Sequence, residues 1–114
     1  MTSITNQTIL NHDFLRGMYN DGYFPNFLVD KIKCILLDVC QQIEEKKPKS
    51  ADDLFSITHP AVELINDLDE EFGENGSELE TEAREVMGAD FEFIVKAYGF
   101  HDVDIEDVIA PREW

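Results

Sequence analysis

Apolar positions recur every three to four residues along almost the whole chain, which is the spacing of one face of an α-helix. The clearest segment follows Pro25 and runs from residue 26 to 46. Its apolar positions span an arc of roughly 100° on a helical wheel, wide enough for a core-facing stripe. They are Leu28, Ile32, Ile35, Leu36, Val39 and Ile43. Because Pro25 suits the start of a helix, the pattern predicts a long central helix here.

One short helix is predicted before this central helix and a divided one after it. Residues 11 to 19 carry a helical pattern, and the turn-forming residues 20 to 22 end it. A helix begins again near Ser50. We expect Pro60 to divide it, because the residue before a proline is displaced from helical dihedrals. A separate segment then runs from 60 to 74.

The last third of the chain carries two further helical patterns. One runs from Ser77 to about Tyr98, with Gly88 as a candidate kink, and the other spans 104 to 109. The sequence shows neither a strand pattern nor an internal repeat. We therefore expect an all-α fold, a compact single domain of four or five helices over residues 1 to 114.

Composition excludes several classes of protein. With 43% hydrophobic residues in 114, the chain can bury a core and is not disordered. It has no catalytic motif, no metal-ligand spacing and no cofactor loop, and it lacks the basic patch of a nucleic-acid-binding protein.

Neither a signal segment nor an apolar run of about 20 residues is present. Cys34 and Cys40 are too far apart on one helix for a disulfide. These features predict a cytoplasmic protein without cofactors, catalytic residues or metal ligands.

Charge is distributed very unevenly along the chain. The formal net charge is −16, yet the first fifty residues sum to zero. The densest acidic stretch, from 67 to 85, has nine acidic residues against Arg84 alone. Such a field repels nucleic acid and anionic membranes, and it attracts basic proteins and cations.

The acids after Pro60 recur at helical spacing, which places several of them on one outer face. They admit two interpretations: a solvated face that keeps the protein dissolved, or a docking face for a basic protein. The candidate partner-binding acids are Glu63, Asp67, Asp69, Glu70, Glu71, Glu74 and Glu78. Tyr19 and Tyr23 lie in an aromatic stretch that either packs on the core or supplies an exposed anchoring patch, since tyrosine is enriched at interface hot spots.

The stretch from Asp67 to Glu78 also matches part of a calcium-binding EF-hand loop. Acidic or amide side chains fall at loop positions 1, 3, 5, 9 and 12, where oxygen ligands are needed. Position 6 should be glycine but is Phe72, and Gly73 follows one residue late. Calcium binding is therefore an alternative function with a partial motif.

Asp90 falls within an apolar stripe, where an unpartnered carboxylate is costly. It could cap a helix that begins after Gly88. It could instead be a structural buried acid paired with Arg16, Lys31, His12 or a tyrosine hydroxyl. A third interpretation is the catalytic carboxylate of a small enzyme.

Three stretches resemble a known family: MYNDGYFPNFLVDK at 18 to 31, DFEFIVKAYGF at 90 to 100 and IAPREW at 109 to 114. The family consists of short, stand-alone bacterial proteins catalogued as a domain of unknown function. The resemblance implies a bacterial, soluble, intracellular protein with one helical domain, and it transfers no catalytic residue.

Together these observations favour a non-enzymatic acidic protein that binds a basic protein partner. A toxin-neutralising role, as an immunity or antitoxin-like inhibitor, fits the size and charge. Binding of nucleic acid or membrane is not expected, and we expect a monomer or a weak dimer.

Overall fold

A computed structural model describes residues 4–114, which form six α-helices and no strand. The helices are α1 (Gln7–Leu10), α2 (Arg16–Tyr19), α3 (Asn26–Lys46), α4 (Ala51–Glu74), α5 (Thr81–Ala97) and α6 (Ile105–Val108). The predicted all-α fold is confirmed. Three of the six helices are long and three are single turns of four residues. Within residues 4–114, no helix is long and apolar enough to cross a membrane.

The centre of the fold is an antiparallel pair formed by α3 and α4. The connection between them is short: Lys47 ends α3 in a left-handed conformation, and Ser50 caps α4 by accepting a hydrogen bond from the Asp53 N–H. The two helices bury their apolar stripes against each other, in a core that also includes apolar residues of α5. Helix α5 also contacts α1, α2 and α6. Helix α2 also contacts α3, and part of the outer surface of α3 and α4, including Phe27 and Leu64, stays exposed.

Helix α4 is continuous through Pro60, so the predicted division there, including the displacement of His59, is wrong. A proline inside a helix costs about 3 kcal/mol, because it removes one hydrogen bond and crowds the preceding turn. Pro60 itself is exposed, whereas Ile57 and Thr58 before it and Ala61 and Val62 after it are buried. Burying each large apolar side chain contributes roughly 1.5 to 3 kcal/mol, so the packing of both halves outweighs the local cost.

The N-terminal region also differs from its prediction. Instead of one helix from 11 to 19, the chain forms two single turns, α1 and α2. Asn6 caps α1 by accepting hydrogen bonds from the backbone N–H groups of Thr8 and Ile9. Between the turns, Leu15 has a φ of 58°, which no helix accommodates. Gly17 allows the close approach of α2 to α5, since a Cβ there would lie 2.9 Å from Val86 Cγ2.

The sequence pattern predicts that a helix begins at Ser77, and this is wrong. Ser77 instead belongs to the cap at the end of α4. Its N–H donates to the Phe72 carbonyl at 2.9 Å across Gly76, which has a φ of 74°. That arrangement is a Schellman C-cap, in which glycine adopts the left-handed conformation without strain. Helix α5 begins four residues later, at Thr81, and continues through Gly88 without a break.

Candidate functional site

Four carboxylates form an exposed row along the outer face of α4. They are Glu63, Asp67, Glu70 and Glu74, here called the acidic ridge. Their spacing of four, three and four residues places them on one side of the helix, and like charges so spaced repel by a few tenths of a kcal/mol per pair. None of the four forms an ion pair with a basic side chain of residues 4–114. The four ridge charges are therefore not neutralised by any basic side chain among residues 4–114.

One lysine of the N-terminal half reaches the acidic stretch. Lys31 Nζ donates to both carboxylate oxygens of Glu71, at 2.7 and 3.0 Å. Glu71 lies beside the ridge, on the side of α4 that faces α3. Because this pair spans the two helices, it ties α3 to α4 and removes Glu71 from the acids open to a partner. Lys46, Lys47 and Lys49 are exposed at the opposite end of α3.

Asp69 and Glu78 do not extend the ridge. Asp69 accepts a hydrogen bond from the Leu79 N–H at 3.4 Å, which helps to fix the connection between α4 and α5. Glu78 lies in that connection, fully exposed, and a hydrogen bond with Glu80 raises its pKa. Of the seven candidate acids, the structure thus groups four on one surface and gives Asp69 and Glu71 intramolecular contacts.

The Asp67 to Glu78 segment does not have the geometry of an EF-hand loop. Residues 67 to 74 are helical, so successive odd positions are rotated by about 200° around the axis and cannot converge on one ion. Across residues 4–114, no group of three or more His, Cys, Asp or Glu side chains is placed to hold a metal ion.

An apolar groove lies between α3 and α4, on the α3 side of the ridge. Its volume is about 450 Å³, and its accessible lining is almost entirely carbon. Cys34 and Ile35 of α3 and Leu64 and Leu68 of α4 form its apolar surface, and the carboxylates Asp30 and Asp67 stand on opposite walls. Leu64 is 53% exposed and adds apolar surface to the groove. We call this feature the α3–α4 groove.

The two candidate tyrosines differ in their surroundings. Tyr19 is half-buried, and its hydroxyl donates to Asp30 at 2.5 Å. Burial, followed by that hydrogen bond, raises the pKa of Tyr19, so it stays neutral and orients a carboxylate of the groove. Tyr23 precedes α3 and is 45% exposed, and Phe27, in the first turn of α3, is 52% exposed. Both aromatic side chains are accessible, but the groove lining does not include them.

Asp90 is buried in the middle of α5, where it cannot cap a helix; that interpretation is wrong. One carboxylate oxygen lies 2.8 Å from His12 Nε2, and the other accepts the Leu15 N–H at 2.7 Å. The His12 ring stacks on Phe93 at a centroid distance of 3.8 Å. With both oxygens engaged, Asp90 is arranged to hold the strained Leu15 backbone and the N-terminal segment against α5.

A hydrogen-bonded cluster around the Glu44 carboxylate was not predicted from the sequence. Glu44 accepts hydrogen bonds from the Thr5 N–H and hydroxyl, the Asn6 N–H and the Tyr98 hydroxyl. Burial alone would raise the pKa of Glu44, but these bonds outweigh it and hold the pKa below its ordinary value. The cluster adjoins a cavity of about 550 Å³ beside Lys47 and Phe100. Because its donors come from the N-terminal segment and the end of α5, Glu44 links both to α3.

Comparison with known proteins finds a family model that covers most of the chain. A family model described as a family of unknown function, DUF5713, matches residues 8–114. No curated protein and no solved structure matches the chain. The matched range includes the acidic ridge, the α3–α4 groove and the Asp90 pair. The resemblance seen in the sequence is thereby confirmed, and the chain belongs to the DUF5713 family of unknown function.

Proposed function

We propose that this protein is a non-enzymatic interaction protein that binds a basic protein partner on the acidic ridge. The observation that carries the proposal is the absence, within residues 4–114, of any cation paired with the four ridge carboxylates. Four like charges along one helix face raise the energy of the free protein slightly. A cationic partner relieves that repulsion on binding.

The net charge of −16 would act on such a partner before contact is made. A field of one sign steers an oppositely charged protein and raises its association rate, by an amount that falls with ionic strength. Rapid capture suits an inhibitor of a harmful basic enzyme, so an immunity or antitoxin-like role is the form of this function that we favour. The proposal places the protein in a bacterial cytoplasm, as a monomer or weak dimer; free Cys34 and Cys40 are compatible with that compartment.

The test is capture of partners by the immobilised protein and by two variants of equal charge. In the ridge variant, four substitutions remove the ridge charges: Glu63→Gln, Asp67→Asn, Glu70→Gln and Glu74→Gln. In the control variant, four exposed acids elsewhere are neutralised: Glu45→Gln, Asp52→Asn, Glu85→Gln and Asp102→Asn. Lysate of the source organism is applied at low and at high salt, and bound proteins are identified by mass spectrometry.

We expect a basic protein that binds wild type and the control variant at low salt, is released by high salt and is not retained by the ridge variant. Equal retention by the ridge and control variants would show that total charge alone, and not the ridge, causes binding. A lack of any basic protein on wild type at low salt would contradict the proposal.

A further inference from the structure

We propose that the α3–α4 groove receives an amphipathic, basic helix of the partner, whose apolar side chains enter the groove while its lysine or arginine side chains meet the acidic ridge. This inference rests on the proposed function and adds the shape and chemistry of the partner segment. It also gives a role to Leu64, whose side chain is 53% exposed beside the groove.

The groove is apolar but does not enclose its contents. Its volume of about 450 Å³ lies within the range of small-molecule sites, yet such sites bury about 70 to 90% of their ligand. The α3–α4 groove instead runs open to solvent along the two helices that form its walls. An elongated segment covers an open groove of this form better than a compact small molecule does.

The spacing of the groove residues matches helix-in-groove recognition. Leu64 and Leu68 lie one turn apart on α4, and Cys34 and Ile35 form the facing apolar wall on α3. Four residues of helix extend about 6 Å, which is the rise between positions i and i+4 of a docked amphipathic helix. One turn of a partner helix therefore spans Leu64 and Leu68.

Charge identifies the occupant as basic. Asp30 and Asp67 stand on the two walls of the groove, and the ridge continues the negative charge on the outer side of α4. The lysine at the groove, Lys31, is bound to Glu71 and does not offset them. A second copy of this chain would present the same acidic ridge and carry the same net charge of −16. Electrostatic repulsion therefore opposes self-association through this face.

The experiment uses two synthetic peptides of about 18 residues, long enough for five turns of helix. The first is amphipathic, with leucines at i, i+4 and i+7 and lysines on both flanks. The second has the same composition in scrambled order, so it carries the charge without the apolar face. Binding to the full-length protein is measured by fluorescence polarisation at physiological ionic strength, for wild type, Leu64→Gln and the ridge variant. Leu64 is already half exposed, so its replacement leaves the fold intact, which circular dichroism verifies.

We expect wild type to bind the amphipathic peptide about tenfold more tightly than the scrambled one, since burial of about one leucine accounts for that factor. Leu64→Gln should remove this preference, and the ridge variant should weaken the binding of both peptides. Bound amphipathic peptide should also slow the alkylation of Cys34, an exposed thiol of the groove.

Distinct outcomes separate the two proposals. If the ridge variant weakens binding but Leu64→Gln and scrambling do not, the groove inference is overturned and the proposed function stands. If neither variant changes binding, both are overturned. If sedimentation shows that wild type forms a dimer that Leu64→Gln abolishes, the occupant is a second copy and the basic helix is overturned.

Discussion

Asp90 joins the N-terminal segment to α5 through both of its carboxylate oxygens. The Leu15 N–H that it accepts belongs to a residue with a φ of 58°, a conformation that costs on the order of 1 kcal/mol or more outside glycine. The carboxylate therefore stabilises a backbone that the local sequence does not favour. From these contacts we infer a structural role for Asp90 in the fold of the N-terminal segment.

Replacing Asp90 by alanine should lower the free energy of unfolding by roughly 2 to 4 kcal/mol, because the buried Leu15 N–H loses its acceptor and His12 loses its partner. Asp90→Asn retains an acceptor oxygen and should cost less. Urea unfolding followed by fluorescence of the single, buried Trp114 measures both. A stability of Asp90→Ala within about 0.5 kcal/mol of wild type, the range of neutral surface changes, would contradict this role.

The two cysteines should differ sharply in reactivity. Cys34 is exposed in the α3–α4 groove, whereas Cys40 is fully buried, and burial raises the pKa of its thiol to about 12. Because the thiolate is the reactive form, Cys40 should not react in the folded protein. A thiol-reactive dye should label one cysteine in native protein and both in denaturant, and it should not label native Cys34→Ser. Rapid native labelling of Cys34→Ser would show that α3 is packed differently.

The acidic ridge could be predicted residue by residue, because it depends only on helical spacing within one segment. The α3–α4 groove could not, since it arises where residues about thirty positions apart come together. Leu64 gave the available signal: it is an apolar residue next to Glu63, at the edge of the face predicted to be polar. The sequence also could not identify His12 as the partner of Asp90, because the two residues are 78 positions apart.

At the scale of elements, α3 and α6 could be predicted because their limits are set locally. Pro25 precedes α3, and Asp104 caps α6 by accepting a hydrogen bond from the Glu106 N–H. The continuity of α4 could not be predicted, since it depends on packing on both sides of Pro60. The helix-breaking tendency of proline favours a break at Pro60, but burial of Ile57 and Val62 on either side stabilises the continuous helix.

Pro60→Ala should therefore stabilise the protein, by about 1 to 3 kcal/mol, because it restores a helical hydrogen bond at an exposed position and removes a steric conflict. Thermal unfolding followed by circular dichroism measures the change. Next to Pro60, Thr58 and His59 hydrogen bond to the backbone carbonyls of Val108 and Asp107. A loss of stability in Pro60→Ala would mean that the proline is needed to place α4 against this C-terminal segment.

At the scale of the whole molecule, crowded carboxylates give stability a defined pH dependence. Hydrogen bonds between acids raise the pKa of Glu78 and Glu82 above 4.5, while those from Tyr98 and Thr5 overcome burial and lower that of Glu44. A raised pKa contributes stability that is lost as the pH rises through it. A lowered pKa contributes stability that is lost as the pH falls through it.

The contributions of Glu78 and Glu82 to the free energy of unfolding should accordingly decline as the pH rises from 4.5, the ordinary pKa of glutamate, and that of Glu44 should decline as the pH falls from 4.5. Urea titrations across this range test the profile. Glu82→Gln should reduce the decline toward neutral pH, and Glu44→Gln should reduce the decline toward acid. Profiles of Glu82→Gln and Glu44→Gln that run parallel to that of wild type at every pH would contradict this assignment.

Docking of a basic partner on the acidic ridge is tested most directly by the association rate constant of the captured partner, measured against ionic strength. For wild type and the control variant we expect a rate that falls about tenfold or more as salt rises. The ridge variant keeps most of the net negative charge, so it should still respond to salt, but it should associate more slowly than the control variant at low salt and depend less steeply on salt. The three rates should approach one another at high salt. Identical rates for wild type and the ridge variant at every ionic strength would contradict binding at the ridge.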